Sequence, residues 1–353
     1  MSRVIALGAA WGAALANLMG CAPEITPVWK VDGVRDLASQ IVVTHRGPLG
    51  DPLPDDPARP LHEALPFDTV RVTPLLVNTE GPVPTDDLEF RWVACDRIVC
   101  TEALLEFDEL PPCDGTLELL GAGQTCAAGE GPTAEITLGA GEVELGTTAL
   151  AAFVPTATLV GIGSVRGEPG AAECQRRLEE RAPLGECFVL HQNVAVGPLS
   201  DFLDFIRLQG FTVETEDIPE SILLRPRNLT PAVEQFSVEG LAETPGPTVV
   251  QMGSTLRVTP GTTLTVRYLP SDSDLEPFEV VASDGTALTG SDFLQGRWFA
   301  TGDHESFDPI GRLSEVTLTL SAFEETSFLY FLVRDSAGSV NLGWLRLQAR
   351  TSL

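Results

Sequence analysis

The chain contains no Cys-x-x-Cys pair, no His-Glu-x-x-His segment and no Gly-x-Ser-x-Gly elbow. The first two absences, with four histidines (His45, His62, His191 and His304) far apart in sequence, argue against a zinc site. The third removes the usual signature of a serine hydrolase, since Gly163-Ser164-Val165-Arg166-Gly167 has the wrong spacing. Basic side chains are scarce: 22 Lys and Arg stand against 50 Asp and Glu, a formal net charge of −28. A surface that negative repels phosphate backbones, so no nucleic acid is expected as a partner. Cysteine is absent after Cys187, so the C-terminal part must be stable without cross-links. No pattern calls for a cofactor.

The 353 residues suffice for two domains of ordinary size, and 33 Gly with 27 Pro point to many turns rather than long helices. The chain opens with Met1-Ser2-Arg3, an apolar run from Val4 to Ala16 and Leu18-Met19-Gly20-Cys21. A short cationic start and an apolar run too short to span a bilayer read as a secretory signal over residues 1–20. Leu18-Met19-Gly20-Cys21 resembles the lipobox of bacterial lipoproteins, which implies that Cys21 is lipidated and becomes the first mature residue. Losing residues 1–20 removes one charged group, Arg3, so the mature chain stays strongly acidic. Membrane attachment is then expected through the lipid, at a bacterial outer membrane, with two or more acyl chains needed for firm anchoring.

Once Cys21 is spent on lipid, six cysteines remain: Cys95, Cys100, Cys113, Cys126, Cys174 and Cys187. An even number in an exported chain predicts three disulfides. Cys174 and Cys187 flank a helical stretch and are expected to pair, while nested and sequential pairings stay open for the other four.

Residues 21–35 read as a tether and 36–227 as a disulfide-containing β-rich domain. Within it, Thr69–Val77 and Leu88–Cys95 alternate apolar and polar side chains, as half-buried strands do. Residues 95–146 read as a disulfide-pinned insertion, Ala152–Val160 as a strand and Gly161-Ile162-Gly163 onward as a turn. Ala171–Ala182 has helical composition; Ser200 is a candidate N-cap for a second short helix stopped by Gly210. Residues 228–353 read as a sandwich with strands near Phe236–Val238, Thr263–Leu269, Phe278–Ala282, Gln295–Ala300, Glu315–Leu320, Phe328–Arg334 and Val340–Gln348. The predicted class is mainly β: two immunoglobulin-like sandwiches, the first with a disulfide-rich insertion and short helices.

Asn228-x-x-Pro231 with Phe236-x-Val238, Arg297-Trp298-Phe299-Ala300-Thr301-Gly302, Phe331-Leu332-Val333-Arg334-Asp335-x-x-Gly338 and Gly343-Trp344 resemble two-domain lipoproteins of myxobacteria and their relatives, as do Asp68–Val72 and Phe90–Cys95. The resemblance implies immunoglobulin-like folds and no chemistry. Carboxylates in two acidic stretches, Asp272, Asp274 and Glu276, then Asp303, Glu305 and Asp308, are weak calcium candidates on predicted loops. The expected function is a non-catalytic, lipid-anchored interaction or structural module with a protein partner at the cell envelope. The alternatives are an enzyme with an unrecognised site in the first domain and a calcium-dependent adhesion-type binding module.

Overall fold

The alternation in Thr69–Val77 marks one sheet in a stack of four. The structure, a computed structural model, describes residues 28–350 except 50–51, 55, 96–99, 114–115, 119–124, 140–156, 168, 209, 211–227, 243, 245, 272–273, 275–276, 282–286, 292–293, 309–313, 321–325 and 336–337. Strands β1 (Lys30–Val31), β2 (Arg35–His45), β3 (Thr69–Asn78), β4 (Gly81–Pro82), β5 (Leu88–Cys95), β6 (Thr116–Glu118), β7 (Thr125–Gly131), β8 (Ala134–Gly139), β9 (Ala157–Val165) and β10 (Phe188–Val194) are joined in this half by helices α1 (Ala171–Glu179) and α2 (Leu199–Leu208). The other half holds β11 (Gln235–Glu239), β12 (Thr248–Gln251), β13 (Thr255–Val258), β14 (Thr263–Tyr268), β15 (Pro277–Val281), β16 (Ala287–Ser291), β17 (Gln295–Thr301), β18 (His304–Asp308), β19 (Glu315–Leu320), β20 (Thr326–Arg334) and β21 (Val340–Ala349).

The first domain faces the sheet β2-β3-β8-β6 against the sheet β10-β9-β5-β7. Ile41, Val70, Val72 and Ile136 from one meet Phe90, Trp92 and Leu159 from the other, and all are buried. The outer face of the second sheet is covered as well: Val93, Val160 and Ile162 pack on Leu104 and Phe107 of a 3-10 segment (Thr101–Glu109) and on Cys174 and Cys187. Three disulfides lie in this domain, Cys95–Cys100, Cys113–Cys126 and Cys174–Cys187. The last is the expected one, and the first two follow the sequential arrangement.

In the second domain β12-β11-β14-β19-β18 faces β1-β17-β20-β21-β13. Phe236, Val266 and Leu318 meet Trp298, Phe331 and Leu345 between them. Because strand side chains alternate in direction, the neighbours of those residues point the other way. Phe299, Phe328, Tyr330 and Leu332 meet Val77, Leu37 and Leu75 of the first domain, with Val31 and Val340. The two sandwiches are thus packed sheet on sheet through an apolar layer, and Tyr330 Oη donates to the carbonyl of Asn78 at 2.6 Å.

Several expectations change. Gly161 and Gly163 do not make a turn but lie inside β9, the middle of a sheet. A Cβ on Gly161 would sit 2.6 Å from the Trp92 ring, and one on Gly163 2.0 Å from the Glu89 carbonyl. Glycine is there to let β5 and its aromatics approach closely. Residues 125–139 are strands of the two sheets rather than part of an insertion, because Cys126, Ala134, Ile136 and Leu138 face the main core. Ser200 lies within α2, which begins at Leu199, and its hydroxyl turns to Asp201. Residues 304–308 form a strand, not a loop. Phe328, Tyr330, Leu332 and Trp344, on strands of the second domain, belong to the interdomain layer and not to that domain's own core.

Candidate functional site

The chain crosses from one domain to the other at residues 228–233, where the apolar side chains Leu229, Ala232 and Val233 are interspersed with groups that need partners. Asn228 is buried, its backbone N–H donating to Glu63 Oε2 at 3.0 Å and its side-chain amide to Asp335 Oδ2 at 2.8 Å. Its carbonyl accepts from the N–H of His62 at 3.1 Å, and Thr230 donates to the Pro60 carbonyl at 2.8 Å. Residues 60–62 and 228–230 therefore pair as a short antiparallel ladder around Leu61 and Leu229.

The second domain grips the same crossing from its other side. Asp335 Oδ1 accepts from the Ser339 N–H at 2.9 Å, closing the turn before β21. Asp274, buried, receives Arg59 of the first domain at 3.1 Å and the N–H groups of Ser271 and Ala232 at 3.0 and 3.3 Å. Asn341 donates to the Pro231 carbonyl at 2.9 Å. Buried polar groups are stable only when so satisfied, and this clasp fixes the angle between the sandwiches.

Beside the clasp the domains leave an open groove of about 580 Å³. One wall is Gln40, Pro57, Ala58 and Pro60; the other is Val233, Glu234, Gln251, Met252 and Asn341. The second wall is set by β11 and β12, tied at their ends by the Met252 N–H donating to the Glu234 carbonyl at 2.7 Å. Among the described strands β12 is an edge of its sheet. Val249 on it and Met252 just beyond it are exposed, at 58% and 44%. The lining offers amides, prolines, a thioether and one carboxylate, groups suited to holding a ligand.

Titratable groups are shifted near this junction or on its approach, His62 and Asp36 among them. Burial pushes the His62 imidazole down to about 4, against a hydrogen bond with the Ile41 backbone, and its Nδ1 has no partner. Burial pushes the Asp36 carboxyl up to about 6, against a hydrogen bond from the Ala38 backbone, and its Oδ1 has no partner.

None of the sequence-derived candidates lines the groove. Cys21, Asp272 and Glu276 are outside the described residues. Asp274 is committed to Arg59 and the crossing segment, and Asp303 to Lys30 at 2.7 Å. Glu305 and Asp308 lie on β18. Among the described residues no group of three or more His, Cys, Asp or Glu side chains is placed to hold a metal ion. Also among them, no helix is long and apolar enough to cross a membrane. The groove residues carry no sequence signal, because Gln40 on β2, Pro57 and Pro60 in a loop and Gln251 on β12 lie far apart in the chain and share no period. Asn228, Pro231 and Asp335 did stand out as motif positions, and their place is the clasp that holds the groove open. A scan against protein-family models finds none that matches the chain, and a search of curated proteins likewise finds no match.

Proposed function

We propose that the protein is a lipid-anchored cell-envelope lipoprotein, attached through Cys21, whose two immunoglobulin-like sandwiches act as a non-catalytic binding module. The observation that carries this reading is the interdomain groove bordered by an edge strand. Its volume falls in the range of ligand sites. An edge strand exposes unpaired N–H and C=O groups, which an extended segment of a partner can complete as an added strand while its alternate side chains enter the groove. The partner is accordingly an extended stretch of another envelope protein, laid along β12 between Met252 and the Pro57–Pro60 wall. A groove fixed by a buried clasp presents this seat already shaped, which lowers the ordering cost of binding.

The test is photocrosslinking on intact cells from a reactive side chain placed at Met252. A discrete adduct lost on filling the groove with Ala58→Trp supports the seat. Equal adducts with and without that block would sink it.

A further inference from the structure

Chain order alone would place the first domain next to an N-terminal anchor. We propose, resting on lipidation at Cys21, that the second domain is the membrane-proximal one and that its edge around β1 faces the lipid surface. Residues 28–31, although they precede the first domain, are fastened to the second. The Trp29 ring stacks on Phe307, with centroids 4.4 Å apart and planes 27° apart, and its carbonyl accepts from the Ala300 N–H at 3.0 Å. β1 extends the second domain's sheet in parallel with β17, pairing Lys30 with Ala300 and Val31 with Thr301. Lys30, the only lysine in the chain, reaches Asp303 at 2.7 Å. Val31 is 1% exposed in the interdomain layer, so the register of this clip is fixed by burial as well as by pairing.

Cys21 lies seven residues before Val28, and seven residues span at most about 25 Å however they are arranged. The clip therefore stands within that distance of the acyl chains. The helix and disulfide layer of the first domain lies three packed layers further along the stack from the sheet holding β1, about 30 Å at the usual spacing. The near edge also has the right surface. Val28 and Val34 are exposed, at 76% and 38%, beside a hollow of about 310 Å³. Lys30 and Arg35 are matched there by Asp303 and Asp32, so this edge is close to neutral in a chain that is otherwise repelled by anionic head groups.

The experiment uses the full lipidated chain in phosphatidylethanolamine and phosphatidylglycerol vesicles carrying an acceptor dye on lipid. A donor is attached through an azide-bearing side chain at Ser306, on β18 beside the clip, or at Glu180, at the end of α1 in the far layer. Severalfold higher transfer from position 306 than from position 180 is expected, and the combined changes Trp29→Ala and Lys30→Ala should shrink that difference. Equal transfer, or more from position 180, in protein that floats with the vesicles overturns the orientation alone. Protein that neither floats nor incorporates labelled fatty acid overturns the anchoring reading and this inference with it.

Discussion

Asn228 and Asp335, 107 residues apart, meet through a 2.8 Å hydrogen bond in a buried site between the two sandwiches. The contact closes a circuit: the crossing segment binds the first domain through Glu63, His62 and Pro60, and the second through Asp335, Asp274 and Asn341.

The circuit should behave as a unit. Asn228→Ala leaves a buried carboxylate short of a donor and should cost about 1–3 kcal/mol in denaturant unfolding. Asp335→Ala should cost a similar amount, and the double variant less than the sum, with a coupling of about 0.5–3 kcal/mol. Arg59→Met strips the charged partner from Asp274 and should be worse, at about 3–5 kcal/mol. Strict additivity of the first two would show that the contact carries no energy.

Stability should depend on pH through two groups with opposite signs. Asp36 has its pKa raised to about 6, so it favours folding at low pH and that contribution is lost as pH rises from about 4 through 6. Asp36→Asn should therefore stabilise the protein by about 1–2 kcal/mol at pH 7 and by much less at pH 4. His62 has its pKa lowered to about 4, so its contribution is complete above pH 6.5 and lost as pH falls toward 4. His62→Gln should flatten the acid limb of the curve. Unfolding midpoints from pH 3.5 to 8 decide both, and a parallel shift at every pH would refute both assignments.

The close approach at β9 predicts a steep response to a single methyl group. Gly163→Ala directs its Cβ into the Glu89 backbone and Gly161→Ala into the Trp92 ring, so each should cost at least about 2 kcal/mol. Gly33→Ala, with nothing within 4 Å of the new atom, is the control and should be neutral. Thermal melts of the three variants make the comparison.

A fragment of residues 228–353 should keep a β-type circular dichroism spectrum, because Phe236, Trp298, Phe331 and Leu345 form a core within it. It should also self-associate, since Phe328, Tyr330 and Leu332 lose their cover from Val77, Leu37 and Leu75. Phe328→Ser with Leu332→Ser should return it to a monomer in sedimentation. An unmodified fragment that is monomeric and binds no hydrophobic dye would show that the interdomain layer matters little.

Much of the β framework was legible because period-2 alternation is local: β3, β14, β19 and the first half of β5 follow it. β20, apolar on both faces, sits between β17 and β21. Its second apolar face is explained only by the neighbouring domain. Strands of two to four residues, β1 and β12 above all, are too short to show a period, and they are the ones that make the clip and border the groove. Gly161 and Gly163 misled because glycine usually punctuates, whereas here a Trp ring and a neighbouring backbone need its missing side chain. The clasp was half visible: Asn228 and Asp335 were noticed as motif positions, but no local rule joins residues so far apart.

β1 also decides where mechanical tension enters the molecule. A tug on the N-terminal end of the chain reaches the Trp29 stack, the Lys30–Asp303 ion pair and the short pairing with β17 before it reaches β2. The second sandwich therefore takes the first strain, and the clip can give way as a fuse, lengthening the leash by several residues while both cores stay folded.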